Sequence, residues 1–136
     1  MAAFLDTNVL AYCTDAAAPA KQRRARTLVE RLSKAGEAVV STQVLIELFD
    51  TLTRKHMMPA SAAQTVVLAC TAWPVVDSDL ALVTAAIDKS LQYQLSIWDA
   101  MVVEAALRAQ ALTLYSEDLG HGRRFGPLAV VDPFAA

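Results

Sequence analysis

AAFLDTNVLAYC, residues 2–13, decides how this chain is read. AAFLD is a short apolar run that stops on an acid, and TNVLAYC stays apolar beyond two small polar residues. The first half reads as a buried strand. The second reads as a helix that Asp6, Thr7 or Asn8 can cap. A strand running straight into a helix is the opening unit of an α/β fold, and it leaves Asp6 at the strand's carboxyl end.

The alternation continues along the chain. EAVV (37–40), PVVD (74–77), LTLYS (112–116) and LAVVD (128–132) are further short apolar runs. Between them lie helical patterns. One runs from Pro19 through Lys34, with a proline start and Gly36 as its stop. Others cover 41–56, capped by Ser41 or Thr42, then 59–73, 78–94 and 96–111. EDLGHGRRFGP (117–127) is glycine-rich and reads as a loop. About five short strands alternating with longer helices predict a single α/β domain over residues 1–136. Its central parallel sheet is flanked by helices on both faces. Ligands in such folds bind outside the carboxyl ends of the strands, near the point where strand order reverses. Asp6 arrives at that edge, and LTLYS runs into Glu117 and Asp118.

Composition narrows the class. The chain has 136 residues, 55% of them hydrophobic, and only nine are Gly or Pro, as a packed domain requires. Twenty-six alanines favour helix. Cys13 and Cys70 match no metal-ligand spacing and read as small core residues, which fits a reducing cytosol and a cytoplasmic protein. MAAFLD lacks the basic start of a signal peptide. Residues 57–76 carry no charge, but Pro59, Pro74 and several polar residues make a well-buried soluble helix the better reading than a membrane span. The formal charge is −2, yet five of twelve basic residues crowd between Lys21 and Arg31, and Arg123 and Arg124 form a second cluster.

SIWDAMVVEAALRAQ (96–110) poses a problem of its own. Wound at 100° per residue, it sets Glu104 and Arg108 together as a solvent-facing i,i+4 pair. Asp99 falls on the opposite face, beside Val102, Val103 and Ala106. A carboxylate on an inward face needs compensation. A capping box with Ser96 would supply it, although that box prefers Glu or Gln. Glu47 lies at the border of the apolar arc of Val44, Leu45, Leu48 and Leu52, so periodicity alone makes it solvated. Asp118 alone reads as a turn residue, and His121 as a solvated loop histidine. Together, Asp6, Asp99 and Asp118 are placed to converge, and converging carboxylates repel unless a cation sits among them. Hard oxygen donors without His or Cys suit Mg²⁺ or Mn²⁺. No nucleophile elbow, Walker loop or dinucleotide fingerprint is present.

These motifs, FLDTNVL, the Glu of STQVLIELF, SIWDAMVVEAA, LYSEDLGHG and the terminal VDPF, occur in the order and spacing of the PIN-domain family. Over essentially its whole length the chain resembles that family, and within it the VapC toxins of toxin–antitoxin pairs. The resemblance implies Asp6, Glu47, Asp99 and Asp118 as catalytic residues, and it alone promotes Glu47. Asp6, Asp99 and Asp118 are implied as metal ligands, with Thr7, Asn8, Ser116 and Glu117 supporting them. Ser116 stands where the family often has threonine, and VDPF where it often has asparagine before the proline.

The implied activity is a Mg²⁺- or Mn²⁺-dependent endoribonuclease, a toxin hydrolysing RNA phosphodiesters by metal-activated water. The implied partners are RNA, a small antitoxin and a second copy of the chain; no membrane partner is expected. With four of the fourteen acids engaged by metal, ten remain against twelve basic residues, as RNA binding favours. Arg23, Arg24 and Arg26 are the candidate RNA-backbone contacts, against the alternative of a solvated face. Two rival classes compete. A phosphoacceptor receiver domain would need an acidic pair after the first strand and a lysine after a late one, and both are missing. A non-catalytic RNA- or partner-binding module would bind RNA without cutting it.

Overall fold

The structure, a computed structural model, describes residues 1–135. Its strands are β1 (Ala3–Leu5), β2 (Ala38–Ser41), β3 (Val75–Val76), β4 (Thr113–Tyr115), β5 (Arg124–Phe125) and β6 (Leu128–Val131). Its helices are α1 (Thr7–Tyr12), α2 (Pro19–Lys34), α3 (Thr42–Arg54), α4 (Ala60–Cys70), α5 (Leu80–Tyr93) and α6 (Ile97–Arg108). The strands lie side by side in the order β3-β2-β1-β4-β6-β5. Every pairing is parallel except that of β5 with β6.

The α/β fold with its largely parallel sheet therefore stands as expected, with one addition. The loop over 117–127 contains β5, which folds back on β6 through Gly126 and Pro127. Gly126 holds φ at +59°, a turn conformation that glycine adopts without steric cost. Two residues are too few for any hydrophobic period to register.

β1 is buried along its whole length, as a central parallel strand must be. Phe4 and Leu5 share the core with Val40, Leu114 and Val130 from neighbouring strands and Val102, Val103 and Ala106 from α6. The chain leaves β1 towards β2 on one side, while β4 flanks it on the other. A crevice opens where the order reverses, at the carboxyl ends of β1 and β4.

Two local expectations are corrected. The uncharged stretch over 57–76 is not a well-buried helix: α4 buries Ala63 and Cys70 but leaves Leu68 in solvent. It packs on α3 and covers little of the sheet, so its lack of charge does not reflect burial. Glu104 and Arg108 do not pair with each other. Lys89 Nζ lies 2.6 Å from Glu104 Oε2, and Arg108 Nη1 lies 2.8 Å from Oδ1 of Asp79, the cap of α5. The packing of α5 along α6 supplies these partners, which helical periodicity within α6 cannot show. Both cysteines are free, and burial raises both thiols, Cys13 to about 11. Among the described residues no helix is long and apolar enough to cross a membrane.

Candidate active site

β1 ends at Leu5, and Asp6 caps α1 by accepting the Thr7 N–H at Oδ1, 2.8 Å away. Capping uses only one of its oxygens. Oδ2 accepts the Ser116 hydroxyl at 2.8 Å, which ties the end of β1 to the end of β4. Ser116 is fully buried and works in three directions. Its oxygen also accepts Asn8 Nδ2 and the Asp118 N–H, each at 3.2 Å. Asn8 adds a 3.1 Å bond from Nδ2 to Asp118 Oδ2, and its Oδ1 accepts the Glu117 N–H at 3.3 Å. The small polar residues after the first strand thus fix the loop that carries Asp118.

Glu47 does not extend freely into solvent. It is half-buried, its Oε2 accepts the Thr7 hydroxyl at 3.1 Å, and its Oε1 accepts Gln43 Nε2 at 2.9 Å. The same Gln43 amide donates to the Trp98 carbonyl at 3.1 Å, joining α3 to the first turn of α6. Asp99 sits in that turn. Its N–H donates to Ser96 Oγ at 3.1 Å, so Ser96 caps the helix while the Asp99 carboxylate lines the cleft.

Asp6, Glu47, Asp99 and Asp118 therefore reach one cleft of about 870 Å³ from four separate elements. Burial pushes the Asp6 carboxyl up to about 6; its hydrogen bonds from Ser116 and Thr7 oppose this, and the charges of Glu47 and Asp99 add to it. Burial likewise raises Asp99; a hydrogen bond with Ser96 opposes this, and the charges of Asp118 and Glu47 add to it. Each of these shifts comes in part from like charges crowding together, a cost that a cation would relieve. The donor set is entirely oxygen, which fits a hard divalent ion. Among the described residues no three acidic, His or Cys side chains form a ready-made cage. Mg²⁺ does not need one, because it keeps several of its waters and uses one or two carboxylates directly.

The remaining candidates separate clearly. Glu117 lines the cleft but is already engaged: Lys21 Nζ stands 2.9 Å from its Oε2, and the Tyr12 hydroxyl donates to its Oε1 at 3.0 Å. His121 is occupied elsewhere, its Nδ1 accepting the Asp132 N–H at 3.0 Å. Arg23 and Arg24 line a different hollow, together with Arg31 and Tyr115. Arg26 donates from Nε to the Cys13 carbonyl at 2.7 Å. The basic member of α2 that meets a carboxylate of the cleft is Lys21, through Glu117. Sequence reasoning missed Gln43, Tyr12 and Lys21 as parts of the site. Only the i,i+4 spacing of Gln43 and Glu47 could have signalled one of them.

Ser116→Ala should leave Asp6 one donor short and Asn8 and Asp118 each one acceptor short. The expected loss is roughly 1–3 kcal/mol in denaturant unfolding, with a further rise in the Asp6 pKa. Ser116→Thr keeps the hydroxyl and should recover most of that loss. Equal stability of Ser116→Ala and the unaltered protein would contradict the bridging role.

The fold and site together define an α/β domain with a carboxylate-rich cleft at its topological switch point. The sequence matches the PIN domain family model over residues 3–124, and the chain belongs to that family. Among curated proteins, none matches the sequence. Solved structures similar to it include a toxin–antitoxin complex from Klebsiella pneumoniae, at a TM-score of 0.72 and 16% identity, covering 99% of this chain and 100% of that one. A second is VapC20 from Mycobacterium tuberculosis, described as a sarcin–ricin loop cleaving toxin, at 0.67 and 21%, covering 87% and 91%. A third is VapBC2 from Rickettsia felis bound to a promoter DNA fragment, at 0.67 and 17%, covering 96% and 97%.

Proposed function

We propose that this chain is a Mg²⁺- or Mn²⁺-dependent endoribonuclease, the VapC-type toxin of a toxin–antitoxin pair. The observation that carries the reading is the convergence of Asp6, Glu47, Asp99 and Asp118, from four elements, on one cleft in which burial and neighbouring charge raise Asp6 and Asp99. Membership of the PIN family and the similarity to a toxin described as sarcin–ricin loop cleaving support it.

Asp6, Asp99 and Asp118 would hold the ion, with Glu47 as a further ligand or a holder of its water. When bound, a divalent ion supplies a water of lowered pKa and charge to stabilise the departing oxygen of a phosphodiester. The chain's own part is orientation. Ser116 and the Thr7 amide fix both Asp6 oxygens, Gln43 and Thr7 fix both Glu47 oxygens, and Asn8 restrains Asp118. Glu117, neutralised by Lys21, supports the site from the cleft wall. Arg23 and Arg24, exposed on α2, would contact RNA backbone beyond the cleft.

Leu68 on α4 and Leu80, Ile87 and Leu91 on α5 are exposed apolar side chains, which a homodimer would cover. A cytoplasmic antitoxin would inhibit by bringing an arginine fork to the carboxylates, where it competes with metal or phosphate. The direct test is incubation with RNA and Mn²⁺, with and without chelator. Cleavage that chelation abolishes is expected; RNA binding without cleavage under either condition would replace the enzyme with a binding module.

A further inference from the structure

The reaction centre explains the acids of the cleft but not the apolar side chains beside them. Trp98 is 61% exposed and lines the same cleft as its chain neighbour Asp99. Ile46, beside Glu47 on α3, is 70% exposed and lines it too. Burying an indole is worth far more than leaving it in water, so an exposed one at a reaction cleft calls for an occupant. Its backbone is already fixed: Trp98 lies in the first turn of α6, and its carbonyl accepts Gln43 Nε2. The other aromatic residue of the cleft, Tyr12, is committed to Glu117, Lys21 and the ring of Phe134.

Charge says what kind of contact is missing. Seven carboxylates line the cleft, with only Lys55 and His56 as basic residues. Even with some acids neutralised by metal, a polyanion gains little electrostatic attraction here. Binding energy must come from a group that ignores charge, and base stacking on an aromatic face does so for any base sequence.

We infer that Trp98 is a stacking platform, with Ile46 as a further apolar wall of the cleft, for an unpaired base next to the phosphate held at the acids. This deepens the nuclease reading and rests on it. Trp98 and Asp99 line the same cleft, so the stacked base belongs to a nucleotide at or near the scissile bond. A base inside a duplex cannot reach the indole, so the cleft selects single-stranded or looped RNA. Trp98 is thus a specificity-determining residue for which substrates enter.

The chain's second tryptophan makes this measurable. Trp73 does not line the cleft; its Nε1 donates to Ser33 Oγ at 3.2 Å. In a Trp73→Phe background, Trp98 is the sole indole fluorophore. With Asp99→Asn added to prevent cleavage, titration with a mixed-sequence single-stranded RNA 20-mer should quench the fluorescence. The same RNA annealed to its complement should quench far less. Trp98→Ala should weaken single-strand binding roughly 5- to 150-fold, and Trp98→Phe should recover much of it.

In the cleaving protein the Trp98→Ala loss should appear mainly in KM and should be absent for salt-driven binding measured on duplex RNA. No quenching by single-stranded RNA, or equal affinity of Trp98→Ala, overturns the proposal. Weakened self-association of Trp98→Ala in sedimentation, with RNA affinity unchanged, would also overturn it and assign the indole to a protein interface. The nuclease reading fails differently. Quenching that persists in a protein that cuts no RNA with Mn²⁺ keeps the platform and removes the enzyme.

Discussion

Asp99→Asn should abolish cleavage, with an expected loss of at least roughly 100-fold, and should make the metal-free protein more stable. Loss of an outer hydrogen-bonding partner alone typically costs metal sites 10- to 100-fold, so a lost ligand sets a floor at the upper end of that range. The stability gain has a separate origin. Burial raises the Asp99 carboxyl, the Ser96 hydrogen bond opposes it and the charges of Asp118 and Glu47 add to it, so on balance the fold disfavours its charged form. The amide is nearly isosteric and removes that cost. The Asp99 N–H to Ser96 Oγ bond involves only backbone on the Asp99 side, so the cap survives the change. A melting temperature a few degrees higher in chelator is expected, with activity gone. If the capping box were the true role of Asp99, the variant would lose stability and keep its cleavage.

The second large effect is an inverted pH dependence of stability in the absence of metal. Asp6 titrates near 6 in the folded chain and near 3.8 when unfolded. Between those values the folded state binds the extra proton, so unfolding free energy falls as pH rises. The destabilisation is complete above pH 6 and disappears below 3.8. Its size is on the order of 3 kcal/mol at neutral pH, from about two pKa units. Asp99 shifts in the same direction and adds to it.

Guanidinium unfolding in chelator should therefore show more stability at pH 5 than at pH 7.5. Asp6→Asn should flatten that difference. Millimolar Mg²⁺ should reduce or reverse it, because the ion binds the ionised carboxylates of the folded state. A metal-free protein more stable at pH 7.5, with the same profile in Asp6→Asn, would contradict the crowded-acid account.

How much of this was legible beforehand depended on the range of each signal. Asp6 and Asp118 could be placed because each follows a short apolar run whose direction fixes the sheet edge it reaches. Asp99 could be placed because a carboxylate on the face of Val102, Val103 and Ala106 violates helical patterning, and such violations mark functional sites. Glu47 was different. Its arc position favours solvent, and only the family resemblance brought it in. Its neighbours Thr7 and Gln43 explain why: one partner is forty residues away and the other is hidden in an ordinary i,i+4 spacing.

The same limit governs Lys21, which meets Glu117 across ninety-six residues, and Glu104, which chose Lys89 over Arg108. Periodicity describes one element at a time, and these contacts exist only between elements. The α4 helix failed for the converse reason. Its uncharged sequence suggests burial, yet nothing in its composition says whether the chain's own sheet or a second copy covers it.

In the proposed enzyme the four converging acids hold a divalent ion that RNA cleavage requires. The most direct measurement is a calorimetric titration of Mn²⁺ into the unaltered protein and into Asp99→Asn, with RNA cleavage followed over the same Mn²⁺ range. Cleavage in the unaltered protein should rise in step with site occupancy, and the variant should lose binding and cleavage together. Full cleavage by Asp99→Asn, or cleavage in the unaltered protein that proceeds with no Mn²⁺ bound, would contradict the account.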